Sequence, residues 1–223
     1  MGIIQSIIGR VGGGSDSLWA SVVSLLWFNG DLTDQRGKSW SASGGAATSS
    51  AQSRFGGSSL RISGGGQQIS TSKVSDFDFP QFTQFCIDFW IYVTTRGSLH
   101  TLVGVSGGST TGAIILSMNS SGALVVDQSG IGNVLSAAGN IPLNTWTHVA
   151  MSRDAANALR VFIGGVGVTG TVTNADFSSS ATSFIVGQSS GSPDFYIDDF
   201  RVTKNAARFT TDFTPPTFQA PNS

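Results

Sequence analysis

The 223-residue chain carries 12 basic and 13 acidic residues, a net charge of −1, and only 11% of its residues are charged. Such a balance sets up no field that would draw the protein to nucleic acid or to an anionic membrane surface. A lone cysteine, Cys86, excludes an internal disulfide framework and a cysteine zinc cluster. All the acidic residues are Asp, Lys is scarce and there are 29 Gly, so good helix formers are few and turn formers abundant.

Residues 1–15 read as an arm. Ile3, Ile4, Ile7 and Ile8 would share one face of a short helix, and Val11–Ser15 is a glycine hinge. The arm is not expected to be a secretory leader, because its one charge, Arg10, follows the apolar run and Gln5 and Ser6 interrupt it. Met1-Gly-x-x-x-Ser6 fits a myristoylation pattern at Gly2 that is too short to establish an anchor. No segment is long enough to span a membrane as a helix. A domain then starts near Leu18 and is expected to run over residues 16–208, with residues 209–223 as an extended tail.

The predicted strands begin with Val22–Phe28, almost wholly apolar. Residues 29–57 read as loops, followed by short strands over Ser58–Ser63 and Gln68–Ser72. Phe85–Val93 has the clearest alternation. Phe85, Ile87, Phe89, Ile91 and Val93 occupy one face, with Cys86, Asp88, Trp90 and Tyr92 on the other. Further strands are predicted over Thr101–Val105, Ala113–Met118, Ala123–Asp127, Asn133–Ser136, Trp146–Arg153, Leu159–Ile163, Val166–Val172, Ser183–Gly187 and Tyr196–Thr203. Glycine turns separate several of them. So many short strands at this spacing predict an all-β antiparallel sandwich or jelly roll.

Several segments carry a family resemblance. Asp194–Pro216 is an alternating strand followed by a polar turn and an aromatic tail that stops at Pro215-Pro216. It is similar to the closing segment of laminin-G-like, concanavalin A-type jelly rolls, in the form common in bacteriophage structural proteins. Phe85–Ile91 resembles the family's aromatic strand, and Asn144–Arg153 its Trp-x-His-Val-Ala strand. Leu159–Gly165 resembles the partner strand, though Gly164-Gly165 stands where the family usually has Asn-Gly. Phe184–Gly187, Leu25–Gly30 and Phe55–Ile62 complete the order, and the resemblance covers roughly residues 18–216. Relatives of this kind include lectins, adhesion modules, glucanases and structural domains, so the fold leaves function to be argued from a site.

Glycoside hydrolysis uses two carboxylates set across the scissile bond, and glucanases of this fold present glutamates that this chain lacks. Asp76 and Asp78 have the spacing but lie in a Phe- and Pro-rich turn. His100 and His148 read as structural residues, and no Gly-x-Ser-x-Gly elbow is present. No enzyme activity is therefore expected. No cofactor is expected either. If the calcium of some laminin-G-like domains were bound, Asp31, Asp34 and one of Asp198 and Asp199 would be its candidates, since adjacent strand residues face opposite ways. For a glycan, Trp40 in the polar loop Lys38-Ser-Trp-Ser is the candidate platform, whereas Trp19, Trp27, Trp90 and Trp146 read as core.

The reading these expectations favour is a non-enzymatic phage virion protein, a capsid decoration or cement protein on the particle surface. The alternative is a receptor- or glycan-binding module of a phage tail or fibre. The expected partners are a major capsid or tail protein, other copies of the chain as a trimer, and a host surface glycan. Assembly contacts would come from Ile3, Ile4, Ile7 and Ile8 and from Phe209, Phe213 and Phe218. The expected location is the virion, after synthesis in the host cytoplasm.

Overall fold

Period-two alternation makes a strand with one greasy face, and two such sheets bury those faces against each other. The computed structural model describes residues 14–136, 139–168, 175–188 and 193–223, and it realises this arrangement. Its strands are β1 (Val22–Leu26), β2 (Ser41–Ser43), β3 (Ala47–Ser49), β4 (Ser59–Ile62), β5 (Gln68–Ser72), β6 (Phe85–Thr95), β7 (Leu99–Ser109), β8 (Ile114–Asn119), β9 (Leu124–Gln128), β10 (Gly132–Ser136), β11 (Thr147–Arg153), β12 (Leu159–Ile163), β13 (Val166–Gly167), β14 (Ser180–Gly187) and β15 (Asp194–Lys204). One sheet runs β13-β12-β11-β6-β15-β4-β3, with β1 also on β15, and the other runs β10-β9-β8-β7-β14-β5-β2. All the strand pairs are antiparallel, as the jelly-roll expectation requires.

The core lies between the sheets. Phe85, Ile87, Phe89, Ile91 and Val93 of β6 point into it, with Val149 and Met151 of β11 and Phe195, Ile197, Phe200 and Val202 of β15. At one end of the core Arg153 is fully buried. Its guanidinium donates to the carbonyls of Thr83 (2.8 Å), Phe79 (2.8 Å), Pro80 and Ala175, and so ties two loops to the sandwich.

Strand β15 is broken by a bulge. Residues Phe195–Ile197 pair with β4, whereas Phe200–Thr203 pair with β1. Between them Asp199 sits at φ 53°, a left-handed conformation that Asp tolerates better than most residues. The bulge returns Phe200 to the core face and brings Asp198 and Asp199 together under cover.

Local expectations are corrected at several points. Residues 29–57 are not all loop, since β2 and β3 pair there with β5 and β4. Trp146 precedes β11 rather than starting it, and is half-buried rather than core. Of the strand predicted over residues 166–172, Val166–Gly167 pairs with β12; residues 169–172 lie outside the described residues, as do 1–13 with Ile3, Ile4, Ile7 and Ile8.

The tail also departs from expectation. Phe209 and Phe213 stack on each other at 3.7 Å and pack on Cys86, Ala150 and Phe162, on the outer side of the β6 sheet. They are contacts within the domain and not a free apolar set. Phe218 is exposed at 58%.

Candidate functional site

The outer face of the β6 sheet collects the side chains that alternate away from the core. Its two halves differ. In one half charges and the tail cover the strands. Arg201 grips Asp88 with two hydrogen bonds (3.1 and 2.8 Å), and Arg208 grips Asp16 in the same way (3.0 and 2.6 Å). Burial alone would raise the Asp88 carboxyl, but Arg201 and His148 outweigh it and hold the group well below the usual carboxylate range. His148 Nε2 lies 3.4 Å from Asp88, under the rings of Phe209 and Phe213.

The other half is open. Here a row of side chains crosses the strands. Trp146 stands beside Tyr92 at 5.6 Å between ring centres, and Tyr92 meets Tyr196 edge-on at 6.2 Å. Arg61 lies over Tyr196 at 5.5 Å and is held by two hydrogen bonds to Asp194, both 3.0 Å. The register explains the row: Tyr196 is opposite Tyr92 in β6 and opposite Arg61 in β4, and Arg61 is opposite Ala47 in β3. With strands about 4.8 Å apart, the row from Trp146 to Ala47 extends about 19 Å. It ends in a polar cleft of about 250 Å³ lined by Gly45, Ala47, Thr48, Ser49, Arg61 and Ser63. Tyr92 and Trp146 are half-buried, so their rings keep an accessible surface, while Tyr196 is 4% exposed and supports them. Aromatic faces beside fixed hydrogen-bonding groups suit the alternating C–H and O–H surface of a sugar.

The platform expected at Trp40 is not there. Trp40 is 9% exposed, packs edge-on against Phe77, Phe184 and Phe200, and donates its indole N–H to Asp34 (2.9 Å). A polar loop carries it between the sheets because Asp34 satisfies the one polar atom of its ring. That role also occupies Asp34, which further accepts from the Ser24 hydroxyl (2.6 Å) and from Arg36 N–H (2.6 Å). Asp31 is exposed and closes a turn on Thr33 N–H (2.9 Å). Asp198 accepts the N–H groups of Arg54 (2.8 Å) and Phe55 (3.0 Å), and Asp199 accepts Ala220 N–H (3.2 and 3.0 Å). Burial pushes Asp198 and Asp199 each up to about 7. The four aspartates thus serve separate local structures. Among the described residues no three His, Cys or Asp side chains gather as metal ligands would.

Sequence reasoning missed the row, although half of its signal was visible. Tyr92 and Tyr196 alternate out of phase with the core residues of their strands. Asp76 and Asp78, the carboxylate pair weighed above, are ion-paired to Lys38 and Lys73. A second cleft, of about 240 Å³, lies between Asp199, Arg201 and residues 216–221, with Phe218 on its rim.

Solved structures share this fold. The binding domain of a paraclostridial mosquitocidal protein superposes with a TM-score of 0.67 at 16% identity, over 85% of this chain and 50% of that one. The binding domain of botulinum neurotoxin DC in complex with SialylT gives 0.62 at 13% identity, over 84% and 48%. Domain 4 of an extracellular arabinanase from Geobacillus stearothermophilus, in complex with arabinotriose, gives 0.63 at 19% identity, over 84% and 93%. The chain thus spans about half the length of the two toxin domains. No curated protein matches the sequence. The family described as the concanavalin A-like lectin/glucanases superfamily matches residues 63–208, and the chain belongs to it.

Proposed function

We propose that the chain is a non-catalytic glycan-binding module that holds a neutral oligosaccharide along the Trp146–Tyr92–Tyr196–Arg61 row. The observation that carries this reading is the row itself, two partly accessible aromatic rings continuous with a polar cleft. Neutral sugars are favoured because Arg61, the cation of the row, is already matched by Asp194. Catalysis is disfavoured by the same ion pair, since Asp194 is the acid nearest the row and hydrolysis asks for two free carboxylates. The arabinanase domain solved with arabinotriose and the toxin domain solved with SialylT support a binding role by likeness of fold.

This reading is the lectin-like one of the two expected from the sequence. It takes precedence over virion decoration because Phe209 and Phe213, which were to reach a neighbour, are used inside the domain. A virion mounting, a trimer and a capsid partner remain proposals about where such a module is carried.

The test is a glycan array followed by calorimetry. Trp146→Ala is expected to weaken the best-bound oligosaccharide about tenfold or more, as removal of a binding-site Trp commonly does. The unfolding midpoint should change little, because that ring is half in water. Undiminished binding by the variant would refute the site, and no binding to any glycan would refute the function.

A further inference from the structure

One position inward from Tyr92 on the same face of β6 stands Trp90, about 7 Å away along the strand. Its surroundings are unusual. Asp198 is its register partner on one side and His148 on the other. The flat guanidinium of Arg54 lies over the indole at 4.2 Å, and Phe55 meets it edge-on at 6.2 Å. Six buried side-chain nitrogen or oxygen atoms among the described residues have no hydrogen-bond partner, and four belong to this group: Trp90 Nε1, Arg54 Nε, His148 Nδ1 and Asp198 Oδ1. Buried polar groups are normally paired, so a cluster of orphans about one indole asks for a partner that brings hydrogen bonds.

The cover is lightly fixed. The loop that carries Arg54 and Phe55 is tied to the sheet through their two N–H groups to Asp198 Oδ2. Those bonds use the backbone and leave the Arg54 side chain held by its stacking on Trp90 and Phe55 and by the attraction of its charge to Asp198. Arg54 is part-exposed, so the side chain can swing into solvent without unfolding the loop.

We propose that Trp90 is the floor of an inner sugar subsite and that the Arg54 side chain is its gate. This rests on the glycan reading of the neighbouring row. A neutral sugar ring would take the place of the guanidinium over the indole. One hydroxyl would accept from Trp90 Nε1 and another would donate to Asp198 Oδ1. Hydroxyl groups fit because the orphans comprise donors and an acceptor, and each hydroxyl can play both parts. The chain of the oligosaccharide would then continue from Trp90 over Tyr92 to the open row.

Arabinotriose, cellotriose and lactose are the probes, titrated by calorimetry and by the indole N–H resonances of ¹⁵N-labelled protein. Arg54→Ala is expected to bind the best of the three about threefold tighter or more, because the competing cation–π stack is gone. The Trp90 indole resonance should then shift on titration. Adding Asp198→Asn or Trp90→Phe to Arg54→Ala should cancel the gain, with near-ultraviolet dichroism confirming the fold of each. Unchanged or weaker binding by Arg54→Ala, with Trp146→Ala still defective, would overturn the gate and leave the row standing. Binding of none of the probes by wild type or Arg54→Ala would sink both readings.

Discussion

Stability should fall as pH rises from about 4 to about 7, and Asp199→Asn should abolish part of that fall. Asp199 is buried beside Arg201, with Asp88 and Asp198 nearby, and burial pushes its carboxyl up to about 7 from 3.8. Between those values the unfolded chain loses the proton while the folded chain keeps it. Each pH unit then favours the unfolded state by up to about 1.4 kcal/mol, a ceiling of about 4 kcal/mol for this group. Above about pH 7 the penalty is complete and constant. Asp198, also raised to about 7, acts in the same direction. Asp16, Asp88 and Asp154 are lowered, so their contribution is lost below about pH 4, outside the window. His100, lowered by burial, destabilises the fold as pH drops through its usual value and partly offsets the slope. It is common to wild type and variant and cancels in their difference. Asn tolerates φ 53° and still accepts Ala220 N–H, so the substitution removes the titration and little else. Urea unfolding followed by tryptophan fluorescence from pH 4.5 to 8.5 should show the two proteins level at the acid end. At pH 8 the variant should be about 2 kcal/mol more stable. A variant less stable than wild type at pH 8, or a difference that does not vary with pH, would refute the reasoning.

Arg153→Met should cost about 3 kcal/mol or more, because it removes the donor to the carbonyls of Thr83, Phe79, Pro80 and Ala175, and the bonds to Phe79 and Ala175 are buried. An unfolding midpoint equal to wild type would mean that those loops find other partners. Phe213→Ala should cost about 1–2 kcal/mol, since the ring is half-buried on Phe209, Phe162 and His148. If the variant unfolds like wild type, the tail does not dock in solution.

How much of this was readable from residues alone depended on how local the signal was. The alternation in Phe85–Val93 assigns faces to five core residues and to Trp90 and Tyr92 at once, because a strand's period is two whatever it pairs with. The order of such segments was enough to name the fold. Trp40 shows where neighbours mislead. Lys38, Ser39 and Ser41 argue for a wet loop, yet Asp34, six residues earlier, accepts the indole N–H and lets the ring enter the core. Trp146 errs the other way, since its apolar surroundings in sequence belong to a strand it just precedes.

The site was the least legible part. Arg61, Tyr92, Trp146 and Tyr196 come from four separated segments and become neighbours through the register of β4, β6, β11 and β15. The bulge at Asp198–Asp199 resets that register, and a shift of one residue would have turned each strand's outer face inward. The sequence by itself determined, by the period of its apolar residues, that the chain folds into sheets and which face of its clearest strand leaves water. The tertiary structure decided which of the remaining side chains stand together on the outside, because cross-strand pairing is set by contacts between residues far apart in the chain.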